Sequence, residues 1–161
     1  MKRPRITPIE LAVGAAVLGT LLAVAIPSFA RNVHATHFAE PVDGLGRLGA
    51  QAVAHAQGHP DEPFPKSAPL TPAEVPRGQR AIDAPGTWDH PTWTVLAFRS
   101  TPEGVPHAFS FAFESTGRAF VGRARGDLDG DGALSTFEIR GASEGDRARI
   151  APGMYVEDEL E

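Results

Sequence analysis

The chain has 161 residues, of which 42% are apolar, a formal net charge of −5 and no cysteine. This length suits one globular domain of ordinary size with an apolar core of its own. Without cysteine, the chain can form neither a disulfide framework nor a thiolate zinc site. No run of Lys and Arg is interleaved with aromatic residues, so the sequence gives no indication of a nucleic-acid partner.

The most hydrophobic part of the chain is residues 11–26, which carry no charge over sixteen positions. Basic residues at positions 2, 3 and 5 precede this run, and positive charge stays on the cytoplasmic side when such a helix inserts. We therefore expect a single membrane span in contact with lipid, with the rest of the chain outside the cytoplasm.

Two ordinary explanations of this run remain open. Residues 28–30, Ser-Phe-Ala, offer a small-x-small site for signal peptidase, so the chain can be a cleaved secretory protein. It can also be a simple signal-anchored protein. Glu10 argues against the signal peptide, because a charge in hydrocarbon costs roughly 2.5 to 3.5 kcal/mol on insertion scales and a signal peptide gains nothing from it. A signal anchor can tolerate Glu10 near the interface, but the pattern from Ile6 to Pro27 is more particular than an anchor requires.

Residues 6–11, with the sequence ITPIEL, are followed by the apolar run and then by Pro27. This segment resembles the N-terminal motif of type IV pilins and of the pseudopilins of type II secretion. The resemblance implies that prepilin peptidase cuts between Arg5 and Ile6, although the family has Gly in place of Arg5. Glu10 then becomes the fifth residue of the mature chain, and Pro27 falls where the family has a helix-kinking proline.

The same resemblance implies a mechanism of assembly. The mature chain would leave the inner membrane and self-associate into an extracellular or periplasmic filament, handled by the pilus or secretion machinery. Glu10 of one subunit would pair with the N-terminal amine of Ile6 in the next. Such buried pairs give register and specificity more reliably than they give net stability.

The predicted fold class is α+β, with a long N-terminal helix packed on a small antiparallel sheet. After the leader and the span, apolar residues recur at helical spacing and predict an amphipathic stem, with a kink at Pro41. Two separate helices with a break at residues 40–43 are the alternative. The expected boundaries are a basic leader at 1–5, a membrane helix at 6–27, a stem helix at 28–58, a loop rich in proline at 59–91 and an antiparallel head at 92–161.

Strand signals are confined to the head. Aromatic and β-branched residues predict a first strand from Trp93 to Phe98. Phenylalanines then alternate at positions 109, 111 and 113, which is typical of a half-buried antiparallel strand with a core face. A turn at residues 114–117 leads into a third predicted strand at 118–125.

An acidic loop follows this third strand. Residues 127–138 fit the twelve-residue calcium loop, with Asp at positions one, three and five, Gly at six, Ser at nine and Glu at twelve. The flanks differ from an EF-hand, because the preceding segment predicts a strand. We expect a structural Ca²⁺ site, with an acidic turn that binds no metal as the alternative. The expected ligands are Asp127, Asp129, Asp131, the Ala133 carbonyl, Ser135 and both oxygens of Glu138.

The acidic run and the paired tryptophans at positions 88 and 93 also resemble a pilin-like group found among deltaproteobacteria. We therefore expect a structural filament subunit and no enzyme. A membrane-anchored hydrolase would need a nucleophile with a base and an orienting group, or an open metal site, and the sequence provides no such motif around Ser110 or Ser115. A calcium-binding module that does not assemble into filaments is the remaining alternative.

Overall fold

The computed structural model describes residues 7–145 and 147–158, and for residues 28–37 it describes the helical backbone without side chains. The chain divides into two compact units, residues 1–38 and residues 39–161. The predicted cleavage site between Arg5 and Ile6 lies outside the described residues.

One helix, α1 (Pro8–Gly58), occupies the N-terminal third of the chain. It continues through Pro41, so the alternative of two helices separated at residues 40–43 is wrong. Pro41 is buried, and tertiary contacts hold the turn before it: Glu40 accepts hydrogen bonds from the backbone of Ala108 and Phe109 and pairs with Arg80. These contacts offset the helix hydrogen bond that a proline removes.

The rest of the second unit is an antiparallel sheet with a short helix, so the chain is α+β. Its elements are β1 (Ala68–Thr71), α2 (Pro91–Val95), β2 (Phe109–Ser115), β3 (Ala119–Gly126), β4 (Ser135–Glu144), β5 (Arg147–Ile150) and β6 (Tyr155–Glu157). The strand order is β1-β2-β3-β4-β5, and β6 pairs with β4 beside β5.

Two predicted elements need correction. The segment that begins at Trp93 is the helix α2 and not a strand, because His90 caps it, Pro91 starts it and the indole of Trp93 donates a hydrogen bond to Thr71 Oγ1 at 2.9 Å. The predicted loop 59–91 contains β1, which pairs with β2. The sheet of the head therefore begins before residue 92.

The face of the sheet toward the second half of α1 forms the core. Phe109, Phe111 and Phe113 are all buried, as predicted, but Ser110 is buried as well, so the predicted half-buried alternation holds only from Ala112 onward. The helix approaches the sheet closely at glycines: a Cβ on Gly44 would lie 2.4 Å from the Phe111 ring, and a Cβ on Gly122 would lie 3.0 Å from Leu48.

Candidate functional site

In the first unit, the part of α1 at residues 8–27 exposes its large apolar side chains. Residues Pro8–Pro27 form a 20-residue span of mean hydropathy 2.3, and none of its most apolar window is buried. Length and composition suit either a membrane anchor or a secretory signal sequence. The large apolar residues from Ile9 to Ile26 are between 47% and 75% exposed.

Glu10 and Pro27, the predicted assembly residues, lie at opposite ends of this span. Glu10 is in the first turn of α1, where Thr7 caps the helix. The backbone N–H and the hydroxyl of Thr7 donate to Glu10 Oε2 at 2.8 and 2.9 Å, and the Glu10 N–H donates to Thr7 Oγ1 at 3.3 Å. This is a capping box, which satisfies two N-terminal donors of the helix reciprocally.

The acidic loop joins β3 to β4 as a turn within the sheet. Gly126 pairs with Ser135, and the eight residues between them form the turn. Two of these residues, Gly130 and Gly132, have φ angles of +84° and +98°, which side chains with a Cβ adopt rarely. The strand that the sequence predicts before the loop, in place of an EF-hand helix, is confirmed as β3. A second strand, β4, follows the loop.

The structure brings Asp127, Asp129 and Asp131 together. One carboxylate oxygen from each lies within 4.8 Å of the others. Each aspartate also uses its Oδ1 within the turn: these atoms accept from the backbone N–H of Gly130 at 2.8 Å, Asp131 at 3.1 Å and Ala133 at 2.7 Å. The turn therefore fixes the three carboxylates at close range.

Asp127 is the unusual member of this cluster, because it is only 1% exposed and its Oδ2 has no hydrogen-bond partner among the described residues. No ion pair joins any of the three aspartates to a basic residue among those whose side chains the structure describes. A buried carboxylate oxygen without a partner is costly. A hard cation is the kind of ligand that removes this cost.

The remaining predicted ligands have different surroundings. Ala133 lies in the turn and is exposed, whereas Ser135 is buried and its hydroxyl donates to the Gly126 carbonyl at 3.2 Å. Glu138 does not join the aspartates. It lies on β4 opposite Arg123, three residues beyond Ser135, which is about 10 Å along an extended strand.

Glu138 instead forms an ion-pair network on the outer face of the sheet. Its Oε2 accepts from Arg123 at 2.7 Å, its Oε1 accepts from Arg140 at 2.7 Å, and its side chain is 7% exposed. Burial raises the pKa of Glu138, but the hydrogen bonds and charges of both arginines outweigh burial and hold that pKa below its usual range. The hydrogen bond to Glu138 is likewise the main cause that raises the pKa of Arg123, which also pairs with Glu114.

A connecting segment packs against the acidic loop from the side. The N–H of Gly78 donates to the Asp127 carbonyl at 2.8 Å, and Arg77 forms an isolated parallel bridge with Asp127. Sequence reasoning missed this contact, because no local pattern connects positions so distant in the chain. It also missed Thr7, although the order Thr-x-x-Glu before an apolar run is a readable capping-box signal.

A buried histidine and a partly exposed aspartate lie outside both regions. His107 is fully buried, with Nε2 3.0 Å from Asp83 Oδ1 and Nδ1 3.0 Å from the Phe109 carbonyl oxygen. Asp83 also accepts from the indole of Trp88 at 2.6 Å. Because both ring nitrogens are engaged and no solvent reaches the ring, this pair holds chain segments together.

Comparison with protein-family models, curated proteins and solved structures finds no match to this chain.

Proposed function

We propose that the chain is a structural subunit of a type IV pilus or of a type II secretion-type filament, with no catalytic activity of its own. The observation that carries this proposal is the exposed apolar span Pro8–Pro27, with a carboxylate in its first turn. Such a surface needs a cover of lipid or protein. Inner-membrane lipid would cover it before assembly, and the spans of neighbouring subunits would cover it in a filament.

Glu10 is the residue that we propose for setting the register between subunits. The capping box occupies its Oε2, while its Oε1 accepts no hydrogen bond from the described residues. The free oxygen is therefore open to the N-terminal amine of a neighbouring subunit that prepilin peptidase has cut before Ile6. A charge-assisted hydrogen bond of this kind is roughly twice as strong as a neutral one.

Variants at Glu10 and Thr7 separate pairing from capping. Glu10→Gln keeps an amide oxygen that can cap the helix but removes the charge, whereas Thr7→Ala removes the cap and keeps the carboxylate. The measurement is the amount of subunit in sheared filaments relative to the amount in membranes. We expect Glu10→Gln to reduce incorporation at least tenfold and Thr7→Ala to leave most of it. Incorporation of Glu10→Gln at the wild-type level would contradict the proposed pairing.

The second candidate is a membrane-anchored or secreted calcium-binding domain that does not assemble. The capping box favours its membrane-anchored form, because the box gives Glu10 a role within a single chain. The N-terminus of the protein in native membranes separates the candidates. A start at Ile6 agrees with the filament subunit, whereas a start at Arg31 means cleavage after Ala30 and a secreted domain.

We also propose that the acidic loop binds Ca²⁺ as a structural ion in the head. Asp127, Asp129 and Asp131 supply carboxylate oxygens, and the unpartnered Oδ2 of buried Asp127 is the atom that most needs a cation. Ca²⁺ takes six to eight oxygen ligands, so the Ala133 carbonyl and water complete the set. Glu138, which the sequence predicts as the bidentate ligand, is left out because two arginines hold it.

Calcium titration of the full chain in detergent tests this ligand set. Asp129→Asn keeps an oxygen that can accept the Asp131 N–H and removes one negative charge, so we expect the dissociation constant to rise at least tenfold. Asp61→Asn, an exposed aspartate outside the loop, is the matched control. Glu138→Gln should bind calcium like the wild type, and a loss of binding in that variant would return Glu138 to the ligand set.

A further inference from the structure

The segment between β1 and α2 contains an exposed stretch, residues 73–82, which we call the strap. No residue of the strap is buried. Segments with few buried apolar contacts open at low free-energy cost, and their order depends on the hydrogen bonds that hold them. The order of the strap therefore depends on the contacts that attach it to the rest of the head, which we call its anchors.

The acidic loop provides the anchor in the middle of the strap. Gly78 has a φ angle of +61°, and its N–H donates to the Asp127 carbonyl at 2.8 Å. The two backbones are in direct contact there, since a Cβ on Gly78 would lie 3.3 Å from the Asp129 carbonyl oxygen and 3.4 Å from the Cα of Gly130. A displacement of the loop backbone would therefore change the contacts of Gly78.

The other anchors of the strap do not involve the acidic loop. Ala81 exchanges two backbone hydrogen bonds with His107, each of 2.9 Å, and Arg80 pairs with Glu40 at 3.0 Å. A change in the acidic loop should therefore free the strap around Gly78 and leave it attached at residues 80 and 81.

We propose that a cation at the acidic loop locks the strap onto the sheet. This inference rests on the calcium site proposed above. Asp127 connects cation binding to the attachment of the strap, because its carboxylate has the unpartnered oxygen and its carbonyl accepts the hydrogen bond from Gly78. Without a cation, three carboxylates within 4.8 Å repel one another and the turn loosens. With a cation, the turn is fixed and the Gly78 anchor is kept.

Hydrogen exchange of the full chain in detergent, with and without Ca²⁺, measures the lock directly. At a free calcium concentration that saturates the site, exchange of the Gly78 amide should slow by about tenfold, because calcium that binds the docked state about ten times more tightly than the released state lowers the open population by that ratio. The Ala81 amide, held by His107, is the internal control and should change little. At the same free calcium concentration, Asp129→Asn should reduce the calcium effect, and Asp61→Asn should keep it.

A second variant tests the coupling from the opposite side. Coupling free energies are reciprocal, so loss of the docked strap must weaken calcium binding by the same factor by which calcium protects the strap. Gly78→Ala strains a positive φ and places a Cβ against the loop, and we expect its calcium dissociation constant to rise about tenfold. Gly104→Ala is the matched control, since Gly104 has a φ of +77° and open space around it.

The outcomes distinguish the three proposals. Slowed exchange at Gly78 together with weakened binding in Gly78→Ala supports the lock. Calcium binding that leaves the Gly78 amide unchanged overturns the lock and keeps the calcium site. Absence of calcium binding overturns both, while the filament proposal, which depends on the N-terminal span, is judged by incorporation alone.

Discussion

Two glycines on α1 allow the helix packing to be tested with a matched pair of substitutions. Gly44 faces the sheet, where an added Cβ would lie 2.4 and 2.6 Å from two ring carbons of Phe111. Gly46, on the same helix, is exposed and has nothing within 4 Å of its added Cβ. The two variants Gly44→Ala and Gly46→Ala therefore share a helix and a chemical change but differ in their surroundings.

The expected magnitudes follow from two opposing effects. Replacing Gly by Ala inside a helix stabilises it by about 1 kcal/mol. Overpacking a core costs typically about 1 to 3 kcal/mol, and Phe111 cannot move away easily because it is fully buried and packs edge-on against Phe98. Gly46→Ala should therefore stabilise the protein by up to about 1 kcal/mol, and Gly44→Ala should be about 1 to 3 kcal/mol less stable than Gly46→Ala.

Urea unfolding followed by tryptophan fluorescence measures this difference, because Trp88 and Trp93 are both buried in the head. The measurement uses the full chain in detergent, with the free energy of unfolding compared between the two variants and the wild type. If Gly44→Ala stabilises the protein as much as Gly46→Ala does, α1 does not pack closely on the Phe111 ring at Gly44.

Two further predictions concern the carboxylates of Glu138, which is buried, and Glu40, which is partly exposed. Glu138→Gln should lower the free energy of unfolding by about 1 to 3 kcal/mol at pH 7, because it removes charge-assisted hydrogen bonds to Arg123 and Arg140. Since the folded-state pKa of Glu138 is lowered, this stabilisation is present above the unfolded pKa of about 4.3 and is lost as the pH falls below it. Unfolding of both proteins from pH 7 to pH 3 should show the difference shrinking, and a constant difference would contradict the network. Glu40→Ala should cost about 2 to 4 kcal/mol, because it leaves the Ala108 and Phe109 amides without an acceptor, whereas Glu40→Gln keeps the acceptor and should cost less. Equal losses in a thermal unfolding comparison would mean that the ion pair with Arg80 is the main contribution of Glu40.

Local patterns in the sequence predict those parts of the fold that depend on one periodicity. The alternation at Phe109, Phe111 and Phe113 predicts β2 and its buried face, and the apolar run predicts the first half of α1. The aromatic segment at Trp93 is wrongly predicted as a strand. Its helix depends on the His90 cap and on a hydrogen bond to Thr71, which is far away in the chain.

In the acidic loop, too, local features can be predicted from the sequence and tertiary contacts cannot. Spacing alone predicts the three aspartates and the glycine turn, because these are local features. The position of Glu138 depends on whether the chain enters a helix or a strand after Ser135, and pairing with Gly126 decides in favour of a strand. The contact with Gly78 depends on tertiary structure and has no local signature.

The most direct test of the filament proposal is the N-terminus and intact mass of the protein purified from native membranes. We predict a chain that starts at Ile6, with an N-methylated amine, and the same species in sheared filaments. A chain that starts at Arg31 would contradict the proposal, because the exposed span and Glu10 would then be absent from the mature protein.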